Sequence, residues 1–228
     1  MNVDSDKLAR VLVDQIVVRD CYDIRRLLNN PPDVIVDIGA NTGFFSLTCR
    51  ILFPRSRVIC VEACESTYSM LVDNLMFFGV EPKNVALSNS EYVRIKKGRD
   101  SGSNSTEDVG DMWSDVKTPG KTLKKMFDDW NVDPKSRRVL LKVDCEGAER
   151  TIVENSESEK AMLDCAMTAF EMHYSDDRGS KKWSNAMPKA TGEAWIARLE
   201  KSFPGEVTYK PTTCGGVHGG ILSLLRHS

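Results

Sequence analysis

Five short, mostly apolar runs, each leading into a polar or glycine-containing turn, set the rhythm of the chain: residues 34–38, 57–62, 84–90, 138–144 and 167–174. Runs this short, rich in Val, Ile and Leu and without strict alternation, predict strands buried on both faces, as in a parallel sheet covered by helices. Helical periodicity lies between them. Residues 44–53 follow the first run. Residues 66–79 place Tyr68, Leu71, Leu75 and Phe78 on one stripe, with Gly79 as the stop. Residues 119–130 begin with a proline suited to a first turn, and 191–203 form a further amphipathic stretch. Residues 92–97 alternate enough for a short extra strand. At the C-terminus, 205–212 and 220–226 read as two strands joined by too few residues to be parallel, and Gly215, Gly216, Gly219 and Gly220 between them suit a hairpin.

Ahead of the first run, residues 4–29 carry two helical patterns, one with Leu8, Val11, Leu12 and Gln15, the other from Asp20 through Ile24, Leu27 and Leu28; Pro31 and Pro32 end the second. The expected organisation is a helical lead-in over 1–33 and one α/β domain over 34–228. That domain is doubly wound and Rossmann-like, with a mostly parallel seven-stranded sheet, an antiparallel C-terminal hairpin and helices on both faces. The polar stretches 98–118 and 175–190 are too long for plain connections and are expected to be loops at an active site.

A chain of 228 residues suffices for one such domain with a large core. Its formal net charge of -2 indicates neither a nucleic-acid nor a membrane partner at the level of the whole chain. No apolar run approaches the ~18–20 residues of a membrane span, so a soluble, cytoplasmic protein is expected. The 7 cysteines form no C-x-x-C pair and have no histidine at metal-ligand spacing, and are expected to be reduced and mostly buried.

Candidate chemistry concentrates at the ends of the runs. After Asp37, Gly39 and Gly43 bracket a turn that leads into a helix, the arrangement that brings backbone N–H groups to a ligand. A dinucleotide fingerprint would place glycines at 41 and 44, where Asn41 and Phe44 stand, so a ligand without a pyrophosphate fits better than NAD(P). S-adenosylmethionine is such a ligand. Glu62 lies 19 residues beyond Gly43, near the ~20 at which these folds place an acid on the ribose hydroxyls. Ser88 closes the 84–90 run, where an adenine edge would lie. Asp144 ends the fourth run, Glu146 and Glu149 follow it, and Glu171 and His173 end the fifth, at the edge where such sheets bind ligands. Glu149 also suits a plain role at a helix N-terminus.

Together VDIGANTGFFSL, CVEAC, VALSN and LLKVDCEGAE resemble the FkbM family of S-adenosylmethionine-dependent methyltransferases, over roughly residues 34–174. The resemblance implies a class I methyltransferase fold and O-methylation of a sugar or other small-molecule hydroxyl. It places Asp37, Gly39, Asn41 and Gly43 at the methionine end of the cofactor, Glu62 at its ribose, and Asp144, Glu146 and possibly Glu149 in the cleft. Asp144 is also counted among the cofactor contacts, and Glu171 with Glu146 on the substrate side. His173 and Asp144 are the candidate proton acceptors, since an alcohol is a poor nucleophile near neutral pH. No metal is expected. Two alternatives stand beside this: an RNA ribose 2′-O-methyltransferase, for which Lys142 and Lys181 are available without a broad basic stripe, and a non-catalytic cofactor-binding module on the same fold.

Overall fold

The apolar runs assemble as strands in a computed structural model that describes residues 10–96, 105–106, 113–175, 186–214 and 217–227. In chain order the strands are β1 (Val34–Ile38), β2 (Arg57–Val61), β3 (Glu81–Lys83), β4 (Ala86–Leu87), β5 (Tyr92–Lys96), β6 (Ser105–Thr106), β7 (Trp113–Lys121), β8 (Val139–Val143), β9 (Met167–Ser175), β10 (Met187–Pro188), β11 (Gly205–Cys214) and β12 (Val217–Arg226). The α-helices are α1 (Phe44–Leu52), α2 (Glu65–Leu75), α3 (Leu123–Asp129), α4 (Arg150–Glu154), α5 (Ser156–Leu163) and α6 (Lys189–Ser202). All five positions of β1 and of β8 are buried, which requires cover on both faces and places these strands in the middle. The main sheet runs β11-β12-β9-β8-β1-β2-β3, with β10 paired to β9 as an eighth member. Only β12 is antiparallel, to β9 on one side and β11 on the other.

The pleat divides the core. One face buries Val36, Ile38, Leu141, Val143, Phe170 and Leu222 beneath side chains of α3 to α6. The opposite face buries Ile35, Val58, Leu140, Ala169 and Ile221 beneath Phe45, Cys49 and Phe53 and beneath Ile16, Tyr22, Ile24 and Leu27 of the N-terminal segment. That segment is tied to the outermost strand by Arg26 with Glu206 (2.6 Å) and Lys210 with Asp23 (2.6 Å). Cys21, Cys49, Cys60, Cys64, Cys145 and Cys165 are free thiols. Among the described residues no helix is long and apolar enough to cross a membrane.

Several elements differ from the sequence expectation. The main sheet has seven strands along its path plus the short β10, and a separate four-stranded sheet, β4-β7-β5-β6, stands beside it. The third parallel strand is Glu81–Lys83, not 84–90. Pro82 hides it in the sequence, but a proline is tolerated on an edge strand, and Arg57 fixes the register by forking onto both Glu81 oxygens at 2.7 and 2.9 Å. The apolar residues Ala86 and Leu87 pair with β7 instead. Pro119 lies within β7, opposite Tyr92, and the following helix starts later. Its N-cap is Thr122, whose side chain accepts from the Lys125 N–H. Strands β6 and β7 therefore occupy part of the stretch expected as a loop over 98–118; residues 98–104 and 107–112 lie outside the described residues, as do 176–185 of the second expected loop, Lys181, Leu8, Gly215 and Gly216. The second N-terminal helix is a single 3₁₀ turn, Ile24–Leu27, entered through Asp23 at a left-handed φ of 56°.

Candidate active site

The site grows from the carboxyl ends of β1, β2, β8 and β9. At the end of β1 the chain turns through three left-handed residues, Gly39 (φ 77°), Asn41 (φ 51°) and Gly43 (φ 97°). Gly39 is obligatory, because a Cβ there would lie 1.7 Å from the Asp144 carbonyl oxygen. The Gly39 and Ala40 N–H groups donate to the Val61 carbonyl at 3.0 and 2.8 Å, which brings the turn beside the end of β2. There Glu62, buried, accepts from the Asn41 N–H at 3.0 Å and the Cys64 N–H at 2.9 Å, one on each oxygen. Burial raises its pKa against the lowering effect of those N–H groups. The Asn41 side-chain oxygen is buried and has no protein partner. Phe44 leans away, packed partly buried against the core of the N-terminal face.

Asp37, fully buried, accepts from Ser46 Oγ at 2.7 Å and pairs with Lys142 Nζ at 3.2 Å. Lys142 is the hub: its Nζ donates to the Gly39 carbonyl at 2.7 Å and lies 3.4 Å from Asp144 Oδ2. Burial alone would lower its pKa, but Asp37, Asp144 and Glu171 outweigh that and hold it above the ordinary value, so the ammonium stays charged. From the N-terminal face, the Tyr22 hydroxyl lies 3.0 Å from Glu171 Oε2 and 3.3 Å from Asp144 Oδ2.

Across the cleft the short loop before α4 is organised by Glu149. Its two oxygens accept from the Cys145 N–H (2.7 Å) and the Gly147 N–H (2.8 Å), and Oε1 also meets His173 Nδ1 at 3.0 Å. Glu149 thus does more than hold a helix N-terminus: it shapes the loop that carries Glu146 and orients the imidazole. His173 Nε2 lies 3.8 Å from Glu146 and 4.0 Å from Glu171. Burial disfavours the imidazolium, yet Glu149 first and Glu146 and Asp144 after it raise its pKa well above the usual value, so the ring carries a proton at neutral pH. Burial, with Asp144 as the next raising influence, pushes the Glu171 carboxyl up to about 7. Burial also pushes Glu146 up to about 9, against the opposing pull of His173.

Of the residues singled out from sequence, Asp37, Gly39, Asn41, Gly43 and Glu62 meet at one turn, and Asp144, Glu146, Glu171 and His173 meet in one carboxylate–imidazole cluster. Ser88 is apart in bonding: its hydroxyl accepts from Ser90 N–H and its own N–H donates to the Lys121 carbonyl in the second sheet. Tyr22 gave no sequence signal, since it lies in the helical lead-in, and the central role of Lys142 was hidden inside a strand-forming run. Asp144, Glu146 and His173 place ligand atoms within 4.8 Å of one another, a spacing that could accommodate a divalent cation. A cation bound there would compete with the proton that the surrounding carboxylates favour on the imidazole.

Comparison with known proteins places this arrangement. The methyltransferase FkbM domain matches residues 37–201. Methyltransferase sdnD of Sordaria araneosa is 27% identical over 184 residues, 66% of this chain and 70% of that protein. Methyltransferase 1 of Beauveria bassiana (strain ARSEF 2860) is 25% identical over 167 residues, 64% of this chain and 66% of that protein. Among solved structures, the METTL16 MTase domain superposes with a TM-score of 0.52 at 10% identity, over 93% of this chain and 68% of that one. Cofactor-bound Rv0187 from MTB gives 0.51 at 13% identity, over 100% and 92%. Likenesses this low in identity speak for the fold.

Proposed function

Because the chain belongs to the FkbM family of methyltransferases, we propose that it transfers a methyl group from S-adenosylmethionine to a hydroxyl oxygen of a small molecule or sugar. The observation that carries the reading is the unsatisfied hydrogen-bonding capacity at the β1 turn. Asn41 Oδ1 is buried without a protein partner, and each Glu62 oxygen has one N–H and a second lone pair to spare. Acceptors of this kind suit a ligand carrying an ammonium and paired ribose hydroxyls, so the residues present fit the cofactor. Asp37, Gly39, Asn41 and Gly43 would hold its methionine end and Glu62 its ribose, with Ser88 on the adenine side. When bound, the cofactor supplies a methyl group activated on a sulfonium.

What the chain itself contributes is position and a proton acceptor. Aligning two reactants can contribute ~7–11 kcal/mol, more than a general base, which adds roughly 10²–10⁴-fold. His173, held protonated, serves poorly as that base at neutral pH. Glu171, with its carboxyl at about 7, has the value a base needs and is its best candidate, with Asp144 beside it. No metal takes part in this reading: the imidazolium and Lys142 offset the negative charge of the cluster, and transfer should survive chelation with EDTA. The structure adds no support for an RNA acceptor among the described residues: Lys142 is 3% exposed and committed to Asp37, Asp144 and Gly39, so it offers no phosphate contact.

The deciding experiment is transfer of isotope-labelled methyl into a small-molecule extract of the source organism, which reveals the acceptor and separates an enzyme from a binding module. Alongside it, S-adenosylhomocysteine at 100 times its Kd should stabilise the fold by about 2.7 kcal/mol and NAD should not. A shift with NAD alone would overturn the cofactor assignment.

A further inference from the structure

The family match begins at residue 37, yet one side chain inside the carboxylate cluster comes from ahead of it. Tyr22 reaches the cluster from the N-terminal segment, with its ring buried and fixed on several sides. It stands edge-on to Phe45 (centroids 5.4 Å apart, planes at 89°), and Lys142 Nζ lies 5.9 Å from the centroids of both rings. A phenol has one proton, and here two carboxylate oxygens, Glu171 Oε2 and Asp144 Oδ2, lie within its reach at 3.0 and 3.3 Å. The two acids come from different strands and repel each other when ionised; a shared donor holds them in one arrangement. With Oε2 occupied, Glu171 turns its other oxygen towards His173, 4.0 Å from Nε2.

We propose that Tyr22 is a positioning residue of the acceptor side, whose hydroxyl fixes Glu171 and Asp144 relative to each other. This rests on the methyl-transfer reading for its kinetic consequence, and on geometry alone for the coupling itself. Burial and the neighbouring carboxylates raise the Tyr22 pKa well above its ordinary value, so the hydroxyl remains a donor throughout the working range. The segment that brings it is seated by its own apolar residues, Ile24 and Leu27, and by the ion pairs of Asp23 and Arg26 with β11. Replacing the hydroxyl alone therefore leaves that seating intact.

The test uses the full chain with Tyr22→Phe, Glu171→Gln and the two combined. In unfolding equilibria the pair should be non-additive by a factor of roughly five or more. In labelled methyl transfer to the source organism's small-molecule extract, Tyr22→Phe should lower kcat roughly 10- to 100-fold and leave KM for S-adenosylmethionine unchanged. In the Glu171→Gln background it should cost little further. A merely structural tyrosine would lower stability by the same factor in both backgrounds and spare kcat. Additive effects overturn the proposal, and so does a kcat within twofold of the parent. If the parent chain neither transfers label nor is stabilised by S-adenosylhomocysteine, it is the methyl-transfer reading that fails, and the unfolding cycle still decides whether Tyr22 couples to Glu171.

Discussion

Gly39 sits where a single methyl group cannot go, since the end of β1 and the Asp144 carbonyl just beyond β8 approach too closely and the backbone is left-handed. Gly39→Ala should cost about 3 kcal/mol, visible as a fall in melting temperature of roughly 6–12 °C. Glu171 offers a second prediction. A base with its carboxyl at about 7 must lose its proton to act, so turnover should rise with pH through that value and level off above it. Glu171→Gln should lower kcat roughly 10²–10⁴-fold and flatten that profile; an unchanged profile would move the base elsewhere. At this scale the β1 turn was legible, because Asp37, Gly39, Asn41 and Gly43 fall within one seven-residue stretch and their spacing carries the chemistry. His173 was visible as a cluster member, but its charge was not: it depends on Glu149, 24 residues away, which the strand and loop bring to 3.0 Å.

Among elements, the N-terminal segment shows what periodicity can and cannot reveal. Of the apolar residues that it aligns, Ile24 and Leu27 are buried but Val11 and Leu28 are exposed; a 3₁₀ turn and an α-helix place neighbours differently, and Asp23 in a left-handed conformation breaks the expected helix. The outcome is that Leu27 is 2% exposed and Leu28 47%. Leu27→Ala should cost about 2–5 kcal/mol in chemical denaturation, whereas Leu28→Ala should stay within about 0.5 kcal/mol. The second sheet was legible only at β5. Its partner β7 carries Thr118, Pro119 and Gly120, a composition that mimics a loop followed by a helix start, and only pairing with Tyr92 and Val93 makes it a strand. Edge strand β3 was concealed in the same way by Pro82.

Over the whole molecule, the buried cluster links folding to protons. Glu171 and Glu146 have folded values above their unfolded ones, and so does His173, so the folded chain binds more protons than the unfolded chain. Stability is therefore fullest near pH 4.5–5 and declines as pH rises towards 9, Glu171 alone accounting for something of order 3 kcal/mol across its window. Calorimetry at pH 5, 7 and 9 should show falling melting temperatures, with a shallower fall in Glu146→Gln. The mostly parallel character of the main sheet and its antiparallel C-terminal hairpin were readable from the sequence because the central strands are almost uniformly apolar and end in chemistry. What escaped was contributed by distant segments converging on that edge, above all Tyr22.

The two charged clasps between the N-terminal segment and β11 have a further bearing. Among the described residues no strand pairs with the outer side of β11 in the main sheet, and an open strand row invites self-association. A chain trimmed to start at the first strand would lose Asp23 and Arg26 as well as the lid over Ile35 and Leu140, leaving an oily floor beside an unguarded margin. Such a trimmed chain should clump on expression, which would make the stretch from Ile16 to Leu27 a condition of staying dispersed.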